Sequence, residues 1–161
     1  MEKIFGLRPP TFSNYSGCGS KHSDWVKVGP YYVGAMSLDG KKLKADLYVF
    51  LDSSYLKKGD ILVGFRSRLG RLPAIYVNWP DQGTIPQPEY KALISYVLSQ
   101  LKKGKKVAVG CFGGHGRTGT MLAGLIKVVE CNDGVKEVRT RYCPKAVETK
   151  AQEQMVNNIG R

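Results

Sequence analysis

Residues 110–120 read "GCFGGHGRTGT". The apolar run Val107-Ala108-Val109 precedes them and "MLAGLIKVV" follows. The run fits a buried strand, and Met121, Leu122, Leu125, Ile126 and Val129 fall at helical spacing, so a second helix continues from Arg117. A glycine-rich turn from strand into helix points backbone N–H groups at one spot, which suits an anion. Two phosphate chemistries share these letters. Gly114-His115-Gly116-Arg117-Thr118-Gly119 spells G-x-G-x-x-G, a dinucleotide fingerprint. Cys111 and Arg117 spell C-x5-R, a cysteine nucleophile facing a phosphate clamp.

The surroundings separate the two. A dinucleotide fingerprint belongs in a first βαβ unit whose second strand ends in an acid about 20 residues on. Here the loop lies past the middle of the chain, and the segment at that distance, "VKEVRTRY", has a helical pattern. A Walker-type loop needs lysine after its last glycine, and none stands there. The cysteine reading fits better. Thiols at helix N-termini ionise at pKa values of about 3.5–7.5, which supplies a thiolate at neutral pH. Gly113, Gly114 and Gly116 let backbone close around a tetrahedral anion. Arg117 supplies a planar, permanently charged fork for two phosphate oxygens. Thr118 places a hydroxyl near the sulfur.

A thiolate that takes up a phosphoryl group needs an acid to protonate the leaving oxygen. Trp79-Pro80-Asp81-Gln82-Gly83 offers Asp81 just past an expected strand, 30 residues before Cys111. Pro-Asp-x-Gly is also ordinary turn chemistry, and only the company of the cysteine loop favours the acid.

With 161 residues, 42% hydrophobic and 24% charged, the chain reads as one globular domain. No stretch approaches the length of a membrane span, and the N-terminus lacks the apolar core of a secretory signal, so a cytoplasmic location is expected. Lysines and arginines outnumber acids 25 to 13, a net +12 that favours anionic partners. Cys18, Cys111, Cys131 and Cys143 are widely spaced, with no C-x-x-C and no paired histidines, which argues against structural zinc. Reduced thiols are the expectation, with the three cysteines other than Cys111 as small packed or surface residues.

Residues 9–24 are rich in Pro, Gly and Ser and read as loop, part of a loop-rich segment 1–24. Strands are expected at 31–36, 45–52, 73–79 and 106–110, with a weaker one at 60–65. Pro86 and Pro88 open a helix with Tyr90, Ile94, Val97, Leu98 and Leu101 on one face, and Gly104 suits its C-terminal end. Two more helices are expected in 134–142 and 148–160. Early strands, late helices and a strand-loop-helix unit at 106–130 indicate an α/β fold with a central sheet.

Together these residues resemble the cysteine-dependent protein tyrosine phosphatase superfamily. "CFGGHGRTG" resembles its phosphate loop, "WPDQG" its mobile acid loop, and "AVETKAQ" (146–152) its downstream glutamine segment. The resemblance covers roughly residues 73–156, and the size is similar to the compact, dual-specificity branch. It implies a single phosphatase domain over 1–161, with a mostly parallel sheet flanked by helices and no metal or other cofactor. It further implies that Cys111 attacks phosphorus and forms a cysteinyl-phosphate. Arg117 and the loop residues Phe112, Gly113, Gly114, His115 and Gly116 would bind the phosphate. Asp81 would be the general acid, Thr118 would help the thiolate leave, and Gln152 would orient the attacking water. Thr149-x-x-Gln152 is equally a helix capping box. Gly110 departs from the family, which carries a histidine before the cysteine to order the loop. The implied substrate is a protein phosphorylated on tyrosine, with phosphoserine and phosphothreonine open. The alternatives are an inositol phosphate lipid or an RNA 5′-triphosphate, and beyond them a non-catalytic phosphate-binding module. Relatives with inositol specificity carry lysines in the loop, and this loop has no fixed charge before Arg117. The oligomeric state is left open.

Overall fold

The computed structural model describes residues 23–37, 43–52, 64–65 and 72–160. Its strands are β1 (Ser23–Val28), β2 (Tyr31–Ser37), β3 (Leu47–Phe50), β4 (Gly64–Phe65), β5 (Leu72–Tyr76) and β6 (Val107–Cys111). Its helices are α1 (Gln87–Lys102), α2 (Gly116–Glu130), α3 (Gly134–Arg141) and α4 (Lys150–Asn157). The sheet order is β1-β2-β6-β3-β5-β4. β6 runs parallel to both neighbours, and β3 parallel to β5, while β1 and β4 pair antiparallel at the edges. The result is a mixed α/β sheet whose centre is parallel, as expected.

All five residues of β6 are buried, which is why its sequence is a continuous apolar run and not an alternating one. The strand period of two still sorts its side chains. Val107, Val109 and Cys111 join the large core with Leu47, Val49 and Leu51. Ala108 joins a smaller cluster on the opposite face with Tyr48, Phe50 and Met36. All four helices send side chains into the large core: Tyr90 and Ile94 from α1, Met121 and Leu125 from α2, Val138 from α3 and Met155 from α4. Pro86 is the N-cap of α1, and Gly104 follows its C-cap at φ +82°.

One strand was not foreseen. β1 begins inside the stretch read as loop, so residues 23 and 24 are strand, and 25–28 continue it. Val26 and Val28 face the core while Lys27 is exposed, and Gly29 turns at φ +56° into β2. Residues 60–63 of the weaker expected strand and 9–22 of the expected loop lie outside the described residues.

Candidate active site

The parallel strands β3, β5 and β6 end on the same side of the sheet, where open α/β sheets bind ligands. Cys111 is the last residue of β6, and α2 starts at Gly116. The turn between them closes on the sulfur. Cys111 Sγ, 2% exposed, accepts the Gly114 N–H at 3.2 Å and the Thr118 hydroxyl at 3.0 Å. Gly114 sits at φ +78°, a left-handed conformation that favours glycine. The last glycine of the motif has a packing role: a Cβ on Gly119 would lie 2.6 Å from Ala146 Cβ and 2.9 Å from the Val147 nitrogen. The segment expected to be strand in a dinucleotide fold is α3.

Arg117 is 4% exposed. Its Nη1 donates to the carbonyls of Leu51 at 3.3 Å and Trp79 at 3.1 Å, and lies 3.3 Å from Asp52 Oδ2. Its Nη2 lies 3.3 Å from Asp81 Oδ1. Arg117 and the expected acid, Asp81, are therefore together. Asp81 is the more accessible partner, with 77% of its side chain exposed against 11% for Asp52. Asp52 was not singled out from the sequence.

The turn at residues 79–83 is anchored from beneath. Trp79 is buried edge-on against Tyr90, and its indole N–H donates to the Gly83 carbonyl at 2.7 Å. The same carbonyl accepts the Gln152 amide at 3.0 Å. Gln152 is fully buried, and its Oε1 accepts the N–H groups of Glu148 and Thr149. Thr149 Oγ1 in turn accepts the Gln152 N–H, completing the capping box. Both ends of the Gln152 amide are thus engaged in this state.

Glu148 is a second carboxyl that the sequence did not reveal. It stands against Gly116, where an added Cβ would collide with its carboxyl. Its pKa is raised, first by desolvation and then by the charge of Asp81, with Arg117 and Lys145 opposing. The loop is also gripped from the end of α3. The Tyr142 hydroxyl donates to the Gly114 carbonyl at 2.6 Å, and Cys143 Sγ lies 3.4 Å from His115 Nδ1. Cys111 and Cys131 are free. Among the described residues, no cluster of three or more His, Cys, Asp or Glu could hold a metal ion.

Residues 74–156, just over half of the chain, match the family described as Swiss Army Knife protein, DSP-PTPase phosphatase domain. The chain belongs to the cysteine-dependent protein tyrosine phosphatase superfamily, in its dual-specificity-like branch. It is 31% identical over 153 residues to the uncharacterized protein MJ0215 of Methanocaldococcus jannaschii, covering 95% of this chain and 80% of that one. Among solved structures it is similar to Tk-PTP in the active form, at 24% identity and TM-score 0.60, over 71% of this chain and 78% of that one. It is also similar to kinase associated phosphatase with its catalytic site cysteine replaced by serine, at 18% identity and TM-score 0.65, over 84% and 92%. DUSP15 is 16% identical with TM-score 0.64, over 86% of each chain. The structural likenesses establish the fold, and this phosphatase fold implies a phosphorylated substrate.

Proposed function

We propose that this phosphatase domain hydrolyses phosphotyrosine in proteins through a cysteinyl-phosphate on Cys111. The observation that carries the reading is the pairing of a buried sulfur holding two hydrogen bonds with a buried arginine on the same turn. The Cys111 thiolate attacks phosphorus as the bond to the leaving oxygen breaks, and Asp81 gives that oxygen its proton. Arg117 and the loop N–H groups of Phe112, Gly113, Gly114, His115 and Gly116 hold the phosphoryl oxygens, the positioning and charge stabilisation such transfers need. Water then attacks phosphorus and yields its proton to Asp81. The S–P bond breaks, and its electron pair returns to sulfur, where the Thr118 hydroxyl stabilises the thiolate.

Charge around the site favours a protein phosphomonoester over an inositol phosphate lipid or RNA 5′-triphosphate. Asp52, Asp81 and Glu148 surround Arg117 and the head of α2, while the loop itself brings no lysine. The exposed lysines 102, 103, 105 and 106 precede β6, at its opposite end from Cys111. Among the described residues, a substrate with several phosphates would meet these three carboxylates beside Arg117, with Lys145 the opposing charge near Glu148. Phosphoserine and phosphothreonine remain within reach of the same chemistry.

Among the described residues no helix is long and apolar enough to cross a membrane. A cytoplasmic location is part of the proposal, and counting free thiols in protein extracted under alkylation tests it: cysteines found disulfide-bonded in vivo would argue for a more oxidising compartment.

The deciding experiment compares phosphate release from a phosphotyrosine peptide, a phosphoserine peptide, an inositol lipid and triphosphorylated RNA, with wild type and Cys111→Ser. The peptides are expected to be preferred, and Cys111→Ser to be inactive yet still able to bind vanadate. Preference for either polyphosphorylated substrate, or turnover by Cys111→Ser, would refute the proposal. Asp81→Ala is expected to slow the phosphotyrosine peptide by about 10²–10⁴-fold, and an ester with a strongly acidic phenol far less. Equal slowing of both would make Asp81 a turn residue only.

A further inference from the structure

The phosphate loop is rich in glycine. Gly113, Gly114 and Gly116 are interrupted only by His115, and glycine tolerates either sign of φ, so peptide planes in such a loop flip at little cost. A flipped plane turns a carbonyl where an anion needs an N–H. Gly110, the residue before the cysteine, has no side chain to order the loop.

We propose that Tyr142 is the positioning residue of the phosphate loop, fixing the Gly114–His115 peptide so that the His115 N–H faces the bound phosphoryl group. The inference rests on the phosphate-binding reading of the loop given above. The peptide is planar and trans, so its carbonyl and N–H point in opposite directions. The Gly114 carbonyl is committed to the Tyr142 hydroxyl at 2.6 Å, which directs the His115 N–H away from Tyr142. The N–H of Gly114 meanwhile binds Cys111 Sγ at 3.2 Å. The two peptides flanking Gly114 are therefore held from different sides, one by the nucleophile and one by Tyr142.

Two further observations support the assignment. Cys143, the next residue, meets the His115 ring at 3.4 Å, so consecutive residues from the end of α3 contact both residues of this peptide. The backbone N–H of Tyr142 closes the last turn of α3 on the Val138 carbonyl, and Val138 is fully buried in the core. The hydroxyl is thus carried by a rigid element. Burial raises the Tyr142 phenol well above its ordinary range, and the Cys111 charge adds to the effect, so it remains a protonated donor throughout the working pH range.

The test is Tyr142→Phe, which keeps the ring and deletes the donor. Tyr90→Phe is the matched control, because Tyr90 donates a buried hydroxyl to the Thr120 carbonyl in α2, outside the phosphate loop. Both are made with Cys131→Ser, which removes the exposed free thiol. Three quantities are measured: vanadate affinity, the pH at which Cys111 becomes reactive to iodoacetate, and thermal midpoint. Tyr142→Phe is expected to weaken vanadate binding by about 3- to 10-fold, the equivalent of one hydrogen bond, and to move Cys111 reactivity to higher pH. Tyr90→Phe is expected to lower the thermal midpoint and leave the other two readouts in place. A Tyr142→Phe protein with wild-type vanadate affinity and alkylation profile would overturn the proposal, whatever its thermal midpoint. So would a Tyr90→Phe protein that shifts both as much. Neither readout requires turnover. If wild type hydrolysed no phosphoester, the catalytic proposal would fall, while vanadate binding and alkylation would still decide the role of Tyr142.

Discussion

Gln152→Met asks whether the buried glutamine is a cap or a catalytic group. Methionine nearly matches glutamine in length and volume but can replace none of its hydrogen bonds. The wild-type Oε1 accepts Glu148 N–H at 2.8 Å and Thr149 N–H at 3.3 Å, and the amide donates to the Gly83 carbonyl at 3.0 Å. Gly83 keeps its second donor, the Trp79 indole, so that loss is partly covered. The two N–H groups have no such substitute. A lost cap costs about 0.5–2 kcal/mol, and a desolvated donor left alone about 1–3 kcal/mol. The Glu148 N–H bond is only partly buried, so the lower part of that range applies. The expected total is about 2–3 kcal/mol, or a midpoint lower by about 4–12 °C for a domain of this size. Thermal and urea unfolding measure it. Rapid-quench kinetics, which separate phenol release from hydrolysis of the phosphoenzyme, measure the chemistry. As long as the variant is folded, the second step is expected to slow less than about tenfold. Stability within about 0.5 kcal/mol of wild type, together with a second step slowed by about 10²-fold or more, would refute the cap reading. Gln152 would then have to leave its box during turnover to orient the water.

Other expectations follow from packing and charge. Gly119→Ala puts a methyl 2.6 Å from Ala146 Cβ and 2.9 Å from backbone atoms of residues 146 and 147, and is expected to cost about 1–3 kcal/mol by urea unfolding; a neutral result would mean that the 146–147 segment yields freely. Glu130 is held at about 2, from an ordinary 4.5, chiefly by hydrogen bonds from Arg141, so its contribution is present above pH 4.5 and lost as pH falls through 2. Because the pair is solvent-accessible, Glu130→Gln is expected to lose only about 1 kcal/mol at pH 7, with the gap closing toward pH 2; a constant gap would remove the ion pair as its cause. Glu148 has the opposite sign. Its raised pKa favours the protonated folded form, an advantage present below pH 4.5 and lost as pH rises through the shifted value, so Glu148→Gln is expected to be more stable than wild type at neutral pH and not in acid.

What the sequence disclosed was local. The strand-loop-helix unit at 107–130, the proline-opened α1 and the Thr149–Gln152 box each depend on spacings within a few residues. β1 was missed, although Val26 and Val28 alternate with Trp25 and Lys27 before Gly29-Pro30, because no strand was read between the glycine- and serine-rich run and residue 31. The partners of the site were not legible. Asp52 reaches Arg117 across 65 residues, Gln152 reaches Gly83 across 69, and Tyr142 reaches Gly114 across 28. No periodicity specifies such contacts. They exist because β3, β5 and β6 end side by side and because the ends of α3 and α4 return to the same rim.

The division of labour on Arg117 follows from that convergence. A buried guanidinium with no counter-charge would be costly, so the resting site has to neutralise it. Asp52 does so at Nη1, beside the Leu51 and Trp79 carbonyls, in a setting that leaves only 11% of its side chain exposed. Asp81 does so at Nη2 from solvent, with 77% of its side chain exposed, where an ion pair is weak and easily exchanged. In the proposed reaction the phosphoryl group takes the place of Asp81 at Nη2, while the bonds at Nη1 keep the clamp aligned. Substrate binding then frees the carboxyl that must protonate the leaving oxygen. Asp81→Asn tests the exchange directly: with no charge to displace, vanadate should bind more tightly than to wild type, whereas weaker binding would mean that Asp81 supports the clamp and does not compete for it.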